Sequence, residues 1–455
     1  MSNRPLPHFT TRLAFMLVTA GAAVGLGNVW GFTYVAGKNG GGGFVLIYLL
    51  AMAFVALPVF MAELLLGRLG QASPPTALAR LGRGAGSRLP WGLPGWVGLV
   101  ATILILSFYT VIAGQALYYT LLAPFGTFAG VDDAAIAALD RDFKSGAGQP
   151  LLWGGLFMAL TGLVVSADIR SGLERTGKWL MPVLFVMLLA MVIYAALIGD
   201  FPAALDFLFG FHRLDFSPRL LLEAVGQAFF SLSVGVGGIM MYGAYMGDDV
   251  RLPRAVLWIV LMDVGVALLA GLAIFPLVFA SSVDPAAGPG LVFQTLPMIF
   301  ADLPMGSLAA FVFFLLLTFA AITSAMSILA PSVARLEEAG WPRRRAAWLM
   351  TGITFALSSL TALSLSDWRG VYPLAFLGLD GMTFFALIRE GVNNVVLPLG
   401  GLSFALMAGF GLSRSRVLAG LPMRDGSLFR VWYACLRWLV PVAVGALFLT
   451  AFLGH

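Results

Sequence analysis

Gly21-Ala-Ala-Val-Gly-Leu-Gly-Asn28 places three glycines within seven residues of a strongly apolar stretch, and Trp30 follows close behind. Each glycine weakens a helix by roughly 1 kcal/mol relative to alanine, so the stretch reads as a helix that breaks and frees backbone carbonyls and amides. Within a bilayer no solvent satisfies those groups, and a break is tolerated only where it is buried in protein or lines a cavity. The composition decides for the bilayer. Over 455 residues, 60% are hydrophobic and 11% are charged, with a mean hydropathy of +0.94, whereas about a quarter of the residues in a soluble domain are charged. A second broken stretch, Ser231-Leu-Ser-Val-Gly-Val-Gly-Gly238, repeats the pattern further along.

Outward from these two stretches, about eleven apolar segments recur, each long enough to cross roughly 30 Å of hydrocarbon as a helix. Numbered in order, spans 1 to 11 are expected near 12–36, 44–66, 96–122, 151–167, 176–198, 220–246, 255–279, 305–336, 345–365, 384–412 and 429–452. A β-barrel would instead show short alternating strands. Lys38-Asn-Gly-Gly-Gly-Gly43 is an outer turn, and 125–149, with Asp132, Asp133, Asp140 and Asp142, is a polar loop with room for a short amphipathic piece. A further loop covers 199–217, and the apolar segment 290–300 is too short to span, so it reads as an external hairpin or re-entrant cap. The expectation is an all-α membrane protein of one domain. Its two breaks, five spans apart, fit a five-plus-five inverted repeat: repeat one over 12–199, repeat two over 218–412, and an extra helix at 429–452.

The formal charge of +5 comes from basic residues that gather in alternate loops: about 19 of the 27 Lys and Arg fall on one side, from Arg4 and Arg12 through Arg68–Arg88, Arg170–Lys178, Arg251 and Arg254, Arg335–Arg345 to Arg414–Arg430. By the positive-inside rule that side is cytoplasmic, with the N-terminus inside, and nucleic acid is not an expected partner. Met1 to Arg12 carries no cleavable signal pattern, so span 1 is expected to remain in the mature protein. Cys435 is the single cysteine, which leaves no disulfide framework and no Cys-based metal site. His8, His212 and His455 all lie outside the spans, and no carboxylates are paired deep in the membrane, which argues against an intramembrane enzyme and against an organic cofactor.

Taken alone, the glycines of span 1 also fit a close-packing helix surface. Their order with later motifs says more. Gly21 to Trp30, then Lys38-Asn-Gly-Gly-Gly-Gly-Phe44, then Glu63-Leu-Leu-Leu-Gly-Arg68, follow one another at the positions just described. Here the chain closely resembles the neurotransmitter:sodium symporter family, over nearly all of 12–412, and in particular its bacterial amino-acid transporters with the leucine-transporter fold. That resemblance implies two sodium ions. The first site falls on Ala23, Asn28, Ser231 and Asp263, and the second on Gly21, Val24, Ala320, Thr323 and Ser324. Sodium is a hard cation that takes several oxygens, which unwound carbonyls and Asn, Ser and Thr side chains supply. Thr323 and Ser324 also fit plain bonds back to their own helix. Asp263 lies far from either loop, where a carboxylate is costly unless paired or bound to a cation. The family places either chloride or an acid near this point, so Asp263 is expected to substitute for chloride and to be able to carry a proton; a structural partner for Gln227 or Ser231 is the plainer reading.

Carried over in the same way, the substrate site comprises Ala22, Gly25, Leu26, Gly27, Ile105, Tyr109, Phe230, Ser231, Ser233, Val236, Ser324 and Ile328. Tyr109 matches the tyrosine that bonds the substrate carboxylate, and Gly25 stands where monoamine transporters have an aspartate. The implied cargo is a neutral, hydrophobic or aromatic L-amino acid, since the lining is mostly apolar and Val236 is smaller than its family counterpart. Two departures stand out. Where relatives have an arginine after the tryptophan this chain has Gly31, and the helix-10 aspartate falls on Arg389 or Glu390, so the outer gate is absent or rebuilt, and Arg389 and Glu390 also fit an ordinary solvated helix end. On the other side, Gly172 and Pro182 match a pattern linked to local unwinding of span 5, and Glu338 matches an inner-gate acid with Arg4 as its nearest basic candidate. The reading is a chloride-independent sodium symporter working by alternating access, as a monomer or loose homo-oligomer. Its rivals are a sodium symporter for an osmolyte or other non-α-amino acid, and a channel or sensor of the same fold.

Overall fold

Thr11 starts the first span by accepting the amide of Ala14 on its hydroxyl, an N-cap that satisfies one of the helix's orphan donors. In the computed structural model, which describes residues 7–128, 130–210, 217–281, 290–377 and 381–453, this helix runs Arg12–Ala23, stops, and resumes as Gly27–Lys38 with a bend of 52°. Span 6 is broken more deeply. Pro218–Ser231 and Gly238–Ala244 are separate helices, and the connection holds Ser233, Gly235 and Gly237 at φ of 53°, 99° and 82°. Gly235 has no alternative there, because a Cβ would sit 2.2 Å from the Leu397 carbonyl oxygen.

Among the described residues nine helices are long and apolar enough to cross a membrane, and the bent first span makes ten. With span 6 counted as its two halves, the eleven expected spans are all present, in an all-helical membrane fold. Span 5 begins earlier than expected, at Arg170 rather than 176, with a π-turn over Arg170–Glu174. Gly172 therefore lies in a wound segment, and Pro182 sits inside the continuing helix Arg175–Ile198. Asp133–Phe143 forms the short loop helix, and Leu291–Asp302 the short apolar piece. Pro74–Gly84, Phe201–Phe209 and Arg414–Gly420 are additional short helices that the hydropathy pattern passes over. Arg4, His212 and His455 fall outside the described residues.

Glycine sets how closely the spans approach. In Gly42–Gly70 a Cβ at Gly67 would meet the Met240 carbonyl oxygen at 1.8 Å, and one at Gly243 would meet that of Leu64 at 2.1 Å, so span 2 and the second half of span 6 touch backbone to backbone. Glu63, fully buried on span 2, then takes the amides of Gly235 and Met240 at 3.0 and 3.3 Å, which satisfies groups that the break in span 6 leaves free. The spans divide by environment. The most apolar window of Gly92–Phe125 is 72% buried, but those of Arg170–Ile198 and Ser427–Leu449 are 28% buried, so the latter two face lipid along most of their surface.

Candidate functional site

The two breaks meet around a small cavity of about 30 Å³, room for water but not for an amino acid in this conformation. From span 1 come Ala23, Gly25, Leu26 and Gly27, and from the span 6 break Phe230, Ser233 and Val236. Ile105 and Tyr109 of Gly92–Leu122 and Ser324 and Ile328 of Gly306–Glu338 complete the walls with Leu397. Ala22 and Ser231, grouped with the substrate residues from sequence, do not line this cavity; Ala23 and Leu397 do, and neither was assigned to it. The helix restarting at Gly27 presents its first amides here, the end of a helix that favours negative charge. Beside them lies the buried Tyr109 hydroxyl, next to Ser324 and the Leu26 backbone but without a well-aligned hydrogen bond. A Cβ at Gly25 would stand 3.0 Å from Ser324 Oγ and 3.4 Å from that hydroxyl, so a side chain in place of Gly25 would fill the space between them.

A polar knot lies next to the cavity. Asp263 is fully buried; its Oδ2 accepts from the Ser231 hydroxyl at 2.7 Å and its Oδ1 from Asn28 Nδ2 at 2.7 Å. Asn28 Nδ2 also donates to Ser231 Oγ at 2.9 Å, its Oδ1 accepts the Gly25 amide at 3.0 Å, and the Tyr48 hydroxyl reaches Ser231 Oγ at 3.3 Å. Of the two partners weighed for Asp263, Ser231 is in place, while Gln227 instead donates to the Gly27 carbonyl at 2.9 Å. None of the ion pairs among the described residues includes Asp263. A buried carboxylate ringed by uncharged oxygen and amide groups suits a hard monovalent cation, which would supply the missing positive charge.

At the second expected ion position, a Cβ at Gly21 would stand 3.3 Å from Thr323 Cβ and 3.1 Å from Met181, so spans 1, 5 and 8 converge there. The Thr323 hydroxyl bonds back to the Phe319 and Ala320 carbonyls at 3.1 and 3.0 Å, the ordinary habit of a threonine in a helix. Its oxygen keeps acceptor capacity for a cation.

Two very different closures flank the site. Toward the vestibule, half-buried Phe230 stands between the cavity and an outer chamber of about 950 Å³, with its ring 2.9 Å from where a Gly27 Cβ would be. Gly31, Arg389 and Glu390 line that chamber. Arg389 pairs with its neighbour Glu390 at 2.6 Å and lies 5.7 Å from the Phe385 ring centre, while a Cβ at Gly31 would face Gln227 at 3.4 Å. Toward the N-terminal arm, Phe9 packs among Phe15, Tyr242 and Tyr245, and its amide bonds the Tyr245 carbonyl at 3.0 Å. Thr10 donates its amide at 3.0 Å and its hydroxyl to Glu174, which also holds Lys178. Arg12 pairs with Asp249 at 2.8 Å. Glu338 accepts from the Ser73 amide and hydroxyl and from Thr76 at 2.5, 2.6 and 2.7 Å, so this acid is held by the start of Pro74–Gly84.

Comparison with known proteins places this arrangement. The model of the sodium:neurotransmitter symporter family matches residues 6–128 and 144–397. The chain belongs to the sodium:neurotransmitter symporter family. It is 36% identical over 455 residues to YhdH of Bacillus subtilis (strain 168), described as an uncharacterized sodium-dependent transporter, covering 99% of this chain and 98% of that one. A sodium-dependent transporter of Haemophilus influenzae is 29% identical over 462 residues, covering 99% of each. The crystal structure of MhsT in complex with L-phenylalanine superposes with a TM-score of 0.89 at 36% identity, covering 98% of this chain and 99% of that one. As a member of this family, the protein is a multi-pass membrane transporter that uses sodium; the fold and family are those of transporters, not enzymes.

Proposed function

We propose that this symporter imports a neutral, hydrophobic or aromatic L-amino acid by alternating access, driven by two sodium ions and without chloride. The observation that carries the substrate class is the buried Tyr109 hydroxyl, set beside Ser324, Gly25 and the first amides of the restarted helix. Those donors converge on a place for a carboxylate, and Gly25 offers no charge for an amine. Ile105, Val236, Ile328 and Leu397 form the apolar remainder, which fits a hydrophobic side chain. MhsT, a structural neighbour, binds L-phenylalanine, which is in keeping with this assignment.

Sodium at Ala23, Asn28, Ser231 and Asp263 would share Asn28 and the Gly25 turn with the substrate pocket, so ion and substrate would each raise the other's affinity. A second ion would join Gly21 and Val24 to Ala320, Thr323 and Ser324. The negative charge of Asp263 supports independence from chloride, because the site already contains an anion. Within a bacterial inner membrane the N-terminus would face the cytoplasm, with the vestibule outside. Reconstituted in proteoliposomes, the protein is expected to accumulate labelled L-phenylalanine or L-leucine under an inward sodium gradient, equally in chloride and in gluconate. Uptake that persists undiminished when potassium replaces sodium would overturn the coupling, and saturable uptake of an osmolyte in preference to any amino acid would overturn the substrate class.

A further inference from the structure

Arg437 belongs to neither set of basic loops. It stands ten residues beyond Ser427 in the Ser427–Leu449 span, about 15 Å along the helix axis and on one of the spans that face lipid. Arginines inside a span are rare and mark function unless they are paired. None of the ion pairs among the described residues includes Arg437, and its buried Nε has no hydrogen-bond partner.

Its surroundings are built. The guanidinium carbon lies 4.5 Å from the Phe410 ring centre and 5.3 Å from that of Tyr433, and the Tyr433 hydroxyl is fixed on the Gly409 carbonyl at 2.9 Å. The side-chain stem fits where Gly409 leaves room, since a Cβ there would stand 3.0 Å from Arg437 Cγ. Both helices carry π-turns at this level, Met407–Gly411 and Cys435–Leu439, a distortion frequent at functional sites. Phe410 and Trp438 meet edge-on at 6.4 Å and remain 48% and 67% exposed, so the notch opens to the membrane rather than to the protein interior. Helical side chains slant toward the helix N-terminus, which directs Arg437 to the arginine-rich end of the helix. Arg430, exposed, lies seven residues earlier, toward that same end of the helix.

We propose that Arg437, Phe410, Tyr433 and Trp438 form a binding site for the phosphate of an acidic phospholipid. The planar guanidinium donates to the phosphate, the rings of Phe410 and Trp438 carry the acyl chains, and Arg430 adds the second positive charge that favours a net anionic headgroup.

The test uses the purified full-length protein in detergent, given phosphatidylglycerol and phosphatidylcholine at equal mole fraction, with bound lipid counted by native mass spectrometry. Wild type is expected to retain phosphatidylglycerol in preference. Arg437→Met, which keeps the stem packed on Gly409, is expected to retain about fivefold less, the factor one basic residue contributes at an acidic membrane surface. Arg437→Lys should recover part of the loss, and Arg430→Gln should lower the preference over phosphatidylcholine. Folding of each variant is checked by its thermal midpoint in sodium; should Arg437→Met not fold, Arg437→Lys and Arg430→Gln carry the test through the lipid preference alone. Equal retention of phosphatidylglycerol by wild type and the folded variants, or equal retention of the two lipids by wild type, overturns the proposal. A rise in the wild-type midpoint with inorganic phosphate, matching that with lipid and lost in Arg437→Met, would make it a free-phosphate site and overturn the lipid assignment.

Discussion

The two ends of the transport pathway are closed by opposite means. At the arm end, Phe9 sits in an aromatic cage, Thr10 and Lys178 converge on Glu174, and Glu338 is tied to Ser73 and Thr76. At the vestibule end one half-buried ring, Phe230, separates the cavity from a wide chamber, and Gly31 contributes no side chain to bridge it. Many mutually supporting bonds make one end a lock, whereas a single rotatable ring makes the other a door. In the proposed orientation, loading from the vestibule would need only side-chain and small helix movement, whereas release past the arm would need several polar contacts to break together. The 30 Å³ cavity shows that even the easy side must open for a ligand to fit.

The largest effect should come from the polar knot around Asp263, which would hold the two ends in their unequal state. Asp263→Asn removes a buried charge worth about 3 kcal/mol or more when its partner is present, so sodium-driven uptake should fall by about 100-fold or more, and Asp263→Ser should regain part of it in chloride. Measured uptake with and without chloride would break the comparison if the variant kept wild-type coupling. Next comes Tyr109→Phe. Its hydroxyl rests beside Ser324 and the Leu26 backbone without a well-aligned hydrogen bond, so the thermal midpoint should change little while apparent substrate affinity drops about 10- to 100-fold, the worth of a hydrogen bond to a charged group. A shift in stability instead would place the hydroxyl in the scaffold.

At the lock, Glu174→Ala leaves the Thr10 amide without its acceptor, and hydrogen exchange at that amide should speed up about tenfold. Unchanged exchange would mean that the aromatic cage alone closes this end. The smallest effect belongs to the door: the half-exposed Arg389–Glu390 pair is worth at most about 1 kcal/mol, so Arg389→Ala should alter the substrate on-rate by no more than about fivefold. A larger loss would show that a charged gate had been rebuilt on this side after all.

The broken spans and the oddity of Asp263 were legible in the residues themselves, because glycine clusters and a carboxylate deep in an apolar run have few explanations, whereas most of the cavity wall and the grouping of Asn28 and Ser231 with Asp263 came from the resemblance to the symporter family. Contacts across long separations were not. Nothing local in Thr10 or Glu174 marks them as partners 164 positions apart, and Glu174 reads as one more loop charge. Leu397 escaped because one leucine in an apolar helix resembles any other until the fold brings it to the Gly235 turn. The π-turns were invisible for a related reason: one added residue per turn changes which face a side chain occupies without changing composition. Glu63 was quoted for its place in a motif, but its task depended on amides freed on another span.

That contact between spans 2 and 6 has a mechanical consequence. With Gly67 against the Met240 backbone, Gly243 against that of Leu64, and Glu63 clasping both sides of the Gly235 turn, no soft side-chain layer lies between the two helices at these points to absorb relative sliding. A tilt of the second half of span 6 is transmitted to span 2 undamped, as along a stiff lever, so probes placed on those two helices should keep a constant separation through the whole cycle while their distance to Gly92–Leu122 changes.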